Sequence, residues 1–366
     1  MRVAIIHPFL YRYARGIERF TFNLANALAR RGIEVHLLTW RWQQPIRIDA
    51  LDPRVQVHWM PTSRYYAAKA IVPFYAWHLL THRYDFVWIY FAGYGEAEAL
   101  TLARRQRFGI VFHYPLIQVP HRYREFQRYG LARRAARIVS VSRYVADGVR
   151  EAFGRESAVI HHGVDTERFK PDPGTRVRLR AAQNLSADAP VLVTAAALEE
   201  RKGVQWVLRA LPDILREHPE TTYLVLGDGA YRPTLERMSR ELGVEKRVRF
   251  LGAQAEIAPF YQAADVSLIL ARGEASSLTA LESLACGVPV IAAQQSPFDE
   301  LLAPEYGVMV NEQDARQVAS AINGLLGDDA RRRAMGEQGR ARILADFTWE
   351  RVGEEYARLL DENTRV

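Results

Sequence analysis

Apolar residues in this chain fall into short runs, separated by longer stretches in which they recur at helical spacing. Residues 3–6 form an apolar run that predicts a β-strand, and the turn carrying Gly16 leads into Ile17, Phe20, Leu24 and Leu28, spaced for one face of a helix. Gly32 closes that helix, and residues 35–39 predict the next strand. The same βαβ alternation recurs, with strands expected at 86–90, 110–112, 138–141 and 158–160 and helical stretches between them. The first half is therefore expected to be a doubly wound parallel sheet.

From Asp165 the composition turns polar and proline-rich, through Pro171 and Pro173-Gly174, which predicts a linker. The pattern then restarts. Strands are expected at 191–195, 222–226, 248–251, 266–270 and 288–292, and helices at 204–215, 231–242 and 278–285. The expected fold class is α/β, with two Rossmann-like doubly wound domains: residues 1–165 and residues 166–347. The amphipathic helix within 348–366 is expected to pack back on the first. Ligands of such sheets bind beyond the carboxyl ends of the strands, so two domains facing each other across a cleft would place the function there.

Composition narrows the class. A chain of 366 residues with 49% hydrophobic and 25% charged residues reads as a soluble globular protein. Its longest apolar stretch, 70–80, is 11 residues and contains Pro73 and His78, too short and too interrupted to span a bilayer. The first residues carry no small-residue cleavage site after an apolar core, and a single cysteine, Cys286, excludes an intramolecular disulfide. A cytoplasmic protein is expected, with a peripheral place on the inner face of the membrane as one option.

Charge is divided unevenly. Up to residue 160 there are 24 Lys and Arg against 11 Asp and Glu, and beyond it 25 against 31. A basic first half attracts anionic headgroups or phosphorylated substrates, or is a solvated surface in a chain that uses 45 Arg and 4 Lys. Within residues 59–94, Tyr65, Tyr66, Phe74, Tyr75, Trp77, Trp88, Tyr90 and Phe91 are interleaved with Arg64, Lys69 and Arg83. These aromatics either fill the core or form an interfacial contact with an anionic membrane surface. No RNP, KH or helix-turn-helix pattern accompanies the charge, so nucleic acid is not an expected partner.

The most specific stretch is residues 272–292. Glu274 stands in the loop after a strand, Ser276, Ser277 and Leu278 open a helix, and Glu282 lies eight positions after Glu274. Unpaired N–H groups at such a helix start favour an anion such as a diphosphate. Followed by Cys286-Gly287-Val288-Pro289-Val290 and preceded by Ala263-Ala264-Asp265-Val266, this stretch resembles the donor-binding motif of the retaining family-4 glycosyltransferases, which have the GT-B fold. Gly227-Asp228-Gly229, Leu242-Gly243 and Val248 to Gly252 resemble that family's second-domain core. Val139 to Val145, His161-His162-Gly163-Val164-Asp165 and Phe347-Thr348-Trp349-Glu350 resemble its interdomain and closing segments.

The resemblance implies roles residue by residue. Glu282 would hold the ribose hydroxyls of a nucleotide sugar, and Glu274 would lie near the transferred sugar. Lys202, with Arg201, Ser276, Ser277, Leu278 and Gly227, would complete the donor site, Lys202 on the diphosphate. His113, after a strand, would contact the donor sugar. Gly16, Arg19 and His7, with Arg12 and Arg15 near them, would serve the acceptor. The family has an Arg five residues before this Lys, where the chain has Ala197, so either Arg201 or Arg272 supplies the missing guanidinium or diphosphate binding is weaker. Ser296-Pro297 stands where the family has Gly-Gly, and Glu300 follows as a further sugar contact.

The implied activity is a metal-independent, retaining transfer of a hexose from a UDP- or GDP-sugar to a hydroxyl of a glycan or lipid-linked acceptor, in cell-envelope or polysaccharide biosynthesis. The nucleotide sugar is a co-substrate and no cofactor is expected, since no Asp-x-Asp stands at a strand end. The alternatives are a GT-B scaffold that binds nucleotide or glycan without turnover, and a GT-B sugar-nucleotide epimerase. A nicotinamide dehydrogenase is disfavoured because no Gly-x-Gly-x-x-Gly follows the first strand.

Overall fold

The computed structural model describes residues 1–10, 16–40, 51–60, 71–90, 95–114, 124, 126–295 and 297–362. The chain divides into two compact units, residues 1–163 with 349–366, and residues 164–348.

The first unit is built on seven parallel strands: β1 (Arg2–Ile6), β2 (Glu34–Trp40), β3 (Gln56–Met60), β4 (Phe86–Ile89), β5 (Phe108–Phe112), β6 (Arg137–Ser140) and β7 (Ala158–Val159). Their order is β3-β2-β1-β4-β5-β6-β7. Val3, Ala4, Ile5 and Ile6 are all buried, as expected of a strand covered on both faces. Ile5 lies in register with Leu37 on one side and Trp88 on the other. The helix Gly16–Arg30 buries Phe20, Leu24 and Leu28 against the sheet, and the C-terminal helix Trp349–Asp361 joins the same core through Trp349, Val352, Tyr356 and Leu360.

The second unit has six parallel strands: β8 (Val191–Ala195), β9 (Thr222–Leu226), β10 (Val248–Gly252), β11 (Val266–Ile269), β12 (Val290–Ala293) and β13 (Gly307–Val310), ordered β10-β9-β8-β11-β12-β13. In both units the chain starts in the middle, winds to one edge and returns to the other side. The reversals lie between β1 and β4, and between β8 and β11, and a crevice opens at such a point beyond the carboxyl ends of the strands.

The segment expected to be a linker is part of the second unit instead. Phe169 is buried in its core, and Asp172 caps the helix Pro173–Ala182 by accepting from the Thr175 N–H at 2.9 Å. A proline suits the first turn of a helix because its missing N–H has no partner there anyway. Arg180 from this helix pairs with the buried Asp265 at 2.8 Å, and that carboxylate also accepts from the Val191 N–H at 2.7 Å. One ion pair thus ties the helix to the starts of β8 and β11. Among the described residues no helix is long and apolar enough to cross a membrane.

Candidate functional site

In the second unit the turns after β8 and β11 meet at the strand-order reversal. The β8 turn runs through the short 3-10 segment Glu200–Lys202 to Gly203, whose φ of +77° favours glycine. A Cβ on Gly203 would lie 1.9 Å from the Leu270 carbonyl oxygen. That close approach, with the Arg272 N–H donating to the Arg201 carbonyl at 2.8 Å, lays the two turns side by side. Lys202 Nζ then donates to Glu274 Oε1 at 2.7 Å, and Arg201 Nη1 donates to the same oxygen at 2.9 Å. The Lys202 and Glu274 side chains are each only 17% exposed, which strengthens the pair relative to one in open water.

Arg272 is occupied elsewhere, donating from Nε to the buried Glu312. Of the two guanidinium groups considered in place of the missing Arg at 197, Arg201 is the one that shares a partner with Lys202. Gly227, with φ +129°, lets the β9 turn touch the β8 turn, since a Cβ would lie 1.8 Å from the Ala196 oxygen. Its N–H already donates to the Gly252 carbonyl at 2.7 Å.

The helix Leu278–Ala285 starts as its sequence predicts. Ser277 is the N-cap, its hydroxyl accepting from the Ala280 N–H at 3.3 Å, and the buried Ser276 hydroxyl oxygen has no hydrogen-bond partner among the described residues. Glu282, on the second turn, is buried. Burial, and after it the charge of Glu282, pushes the Cys286 thiol up to about 12, so this cysteine is an inert packing residue. Glu300 lies on the short helix Phe298–Leu301, and Ser296 lies outside the described residues.

In the first unit a row of rings follows the carboxyl ends of the strands: His7 after β1, Tyr90 after β4, His113 after β5 and His162 beyond β7. Ring centroids are 5.5 Å apart for His7 and Tyr90, 5.3 Å for Tyr90 and His113, and 5.3 Å for His113 and His162. Phe20, from the helix that Gly16 opens, packs its ring 4.6 Å from that of His113 and 5.0 Å from that of His162. His113 Nδ1 and His162 Nε2 are 3.2 Å apart. Burial holds His7 and His162 down to about 3. Burial lowers His113 as well, helped by any charge on His162 or His7. All three are neutral near pH 7. Arg19 is half-buried on the same helix, whereas Arg12 and Arg15 lie outside the described residues.

In the sequence His162 stands inside the segment His161-His162-Gly163-Val164-Asp165, and the resemblance gives it no role of its own. Its signal was available, since it follows a strand on the same sheet edge as His113. The aromatic segment divides. Tyr75, Trp88 and Tyr90 are buried, while Phe74 (47%), Trp77 (61%) and Leu80 (64%) stand exposed on the helix Val72–Thr81. Arg83 is exposed beyond its end, and Arg64, Lys69, Tyr65, Tyr66 and Phe91 lie outside the described residues.

Comparison with known proteins adds the family. The chain is 38% identical to the GDP-mannose-dependent alpha-(1-6)-phosphatidylinositol monomannoside mannosyltransferase of Mycolicibacterium smegmatis over 235 residues, 61% of this chain and 61% of that protein. The match thus spans less than two thirds of that relative's length. It is 29% identical to the D-inositol 3-phosphate glycosyltransferase of Kineococcus radiotolerans, over 93% of this chain and 89% of that one. In fold it is similar to the Anabaena protein HepE in complex with UDP, with a TM-score of 0.82 at 20% identity over 99% of this chain and 100% of that chain. The model of Glycosyltransferase Family 4 matches residues 14–168 and that of Glycosyl transferases group 1 matches residues 176–342, so the two matches account for both units and the chain belongs to the family-4 glycosyltransferases.

Proposed function

We propose that the protein transfers a hexose from a nucleoside diphosphate sugar to a hydroxyl of a glycan or lipid-linked acceptor, with retention at the anomeric carbon. The observation that carries this reading is the convergence of Lys202 and Arg201 on Glu274 at the strand-order reversal of the second unit. A diphosphate bound there would take over the two cations. Glu274, released from them, would turn its carboxylate to the sugar as positive charge develops at the anomeric carbon. The bond from that carbon to the β-phosphate oxygen breaks, the acceptor oxygen bonds to the carbon, and the acceptor's proton leaves on the nucleoside diphosphate. Two side-chain cations and the N–H groups of the Leu278–Ala285 helix start would stabilise the leaving group without a divalent metal. Glu282 would hold the ribose, and His113 the sugar.

The relatives direct the choice of substrates. One is named for GDP-mannose and a phosphatidylinositol mannoside, the other for D-inositol 3-phosphate, and both acceptors carry phosphate. The basic first half suits such an acceptor, with Gly16, Arg19 and His7 as its proposed contacts. An anionic membrane surface is the second proposed partner. The helix Val72–Thr81 carries no charged residue and exposes Phe74, Trp77 and Leu80 beside Arg83, the makings of an interfacial contact. The test is to offer GDP-mannose and a panel of UDP-, GDP- and ADP-sugars, with and without EDTA, and to score nucleoside diphosphate release and acceptor labelling. Release without transfer to any acceptor, or binding without release, would favour the scaffold. Activity lost in EDTA and restored by a divalent ion would overturn metal independence.

A further inference from the structure

A neutral imidazole has one N–H and one lone pair, and the partner of one nitrogen decides what the other can do. His113 Nδ1 lies 3.2 Å from His162 Nε2, both rings are buried, and 49 residues separate them in the chain. Two neutral rings joined this way share one proton across the contact. If His162 Nε2 carries it, His113 has its own proton on Nε2 and gives a hydrogen bond there. If His113 Nδ1 carries it, His113 Nε2 can only accept. The two outer atoms, His113 Nε2 and His162 Nδ1, are buried and make no hydrogen bond among the described residues.

The pair is mechanically fixed. The Ile160 N–H donates to the Ser140 carbonyl at 3.0 Å, and the neighbouring His161 turns its Nδ1 to the Val141 carbonyl at 3.1 Å, so of the two adjacent histidines only His162 meets His113. Phe20 packs against both rings, and Trp349 packs against Phe20 with centroids 5.5 Å apart. We propose that His162 is a positioning residue, which holds the ring of His113 and sets whether its Nε2 gives or takes a hydrogen bond at the sugar. This rests on the reading of His113 as a sugar contact.

The test pairs steady-state kinetics with side-chain 15N NMR of histidine-labelled protein. In the wild type, His113 and His162 are expected in one matched tautomer pair, both neutral at pH 7. His162→Phe keeps the ring and removes the nitrogens. It is expected to lower kcat about ten-fold or more, the scale seen when groups that orient a working histidine are removed, with little change in donor KM, and to alter the His113 tautomer. His162→Gln, whose amide reaches the place of Nε2, is expected to recover most of the loss. Full kcat in His162→Phe, a loss with His113 signals unchanged, or no recovery in His162→Gln would overturn the proposal. If the variants fail to fold, the wild-type spectrum decides alone, since mixed tautomers at His113 would overturn it. Wild-type activity in His113→Ala would defeat the reading of His113 itself, while the matched tautomers in the wild type would remain.

Discussion

Lys202 Nζ lies 2.7 Å from Oε1 of Glu274, 72 residues further along the chain, because the turns after β8 and β11 touch at the reversal of strand order. Arg201 holds the same oxygen at 2.9 Å. That carboxylate thus meets two cations where a diphosphate is proposed to bind, Arg201 also donating from Nε to Glu199 at 2.8 Å, and charge-assisted contacts of this kind can be exchanged for contacts to phosphate.

Glu274→Gln should therefore separate binding from turnover. Without the carboxylate Lys202 is left for phosphate, while Arg201 keeps Glu199 at 2.8 Å and frees its Nη1, so calorimetric affinity for GDP and UDP is expected to hold or to rise. Turnover should fall roughly 10²-fold or more, the scale seen when a preorganised electrostatic partner of the transition state is removed. Weaker nucleotide binding with undiminished turnover would contradict the assignment.

Lys202→Ala and Glu282→Ala should differ in what they distinguish. Losing a charge-assisted hydrogen bond costs about 1.5–3 kcal/mol. For Lys202→Ala that loss should fall on the nucleoside diphosphate and spare the bare nucleoside. For Glu282→Ala it should fall on both, because both carry the ribose. Equal losses in Lys202→Ala would mean damage to the turn that Gly203 shapes rather than a missing phosphate contact.

Much of this site was legible because strand ends and helix starts announce themselves. Apolar runs such as Val191 to Ala195 marked the sheet, and the loops after them marked the place where sheets of this kind bind ligands. The ion pair of Lys202 with Glu274 was not legible, since it depends on how closely two turns approach, and that is settled by Leu270 and Gly203 in three dimensions. β3 and β13 were missed for a different reason. They are edge strands: QVHWM is partly exposed and broken by polar residues, and GVMV is short and follows directly on a loop. The linker reading failed because a capping Asp and a helix-opening Pro look, in sequence, like loop punctuation.

Membrane contact should depend on the exposed face of the helix Val72–Thr81. The protein is expected to co-sediment with vesicles containing anionic lipid at low ionic strength and poorly with neutral ones. Raising salt should weaken binding, as exposed charges are screened over roughly 8 Å at physiological salt. Replacing Phe74, Trp77 and Leu80 by Ser should abolish co-sedimentation with nucleotide affinity intact, and Arg83→Glu should weaken it. Wild-type protein that ignores anionic vesicles at low salt would remove the membrane from its partners.

Acid should destabilise the first unit, and four clustered histidines say where. His36 Nδ1 and His58 Nε2 are 2.8 Å apart, His36 Nε2 lies 3.0 Å from Glu34 Oε1, and His78 stacks on His82 with ring centroids 4.0 Å apart. His78 Nε2 is also 2.6 Å from the Tyr84 hydroxyl, and among the described residues no set of His, Cys, Asp or Glu is arranged to hold a metal ion. Burial, then the charges of neighbouring histidines, pushes His58 down to about 4 and His78 to about 3. Burial lowers His36 too, although Glu34 draws it the other way. An unfolded histidine titrates near 6.5, so between that value and the folded ones the unfolded chain binds more protons. The stability these groups contribute is complete above about pH 6.5 and is lost as pH falls toward 4 and then 3. Urea midpoints are therefore expected to drop steadily from pH 7 to pH 4. In a His58→Gln, His78→Gln double variant the drop should be shallower, even if stability at pH 7 is lower, because two of the proton-binding groups are gone. An unchanged slope would assign the acid sensitivity to the other buried histidines, His7, His113 and His162.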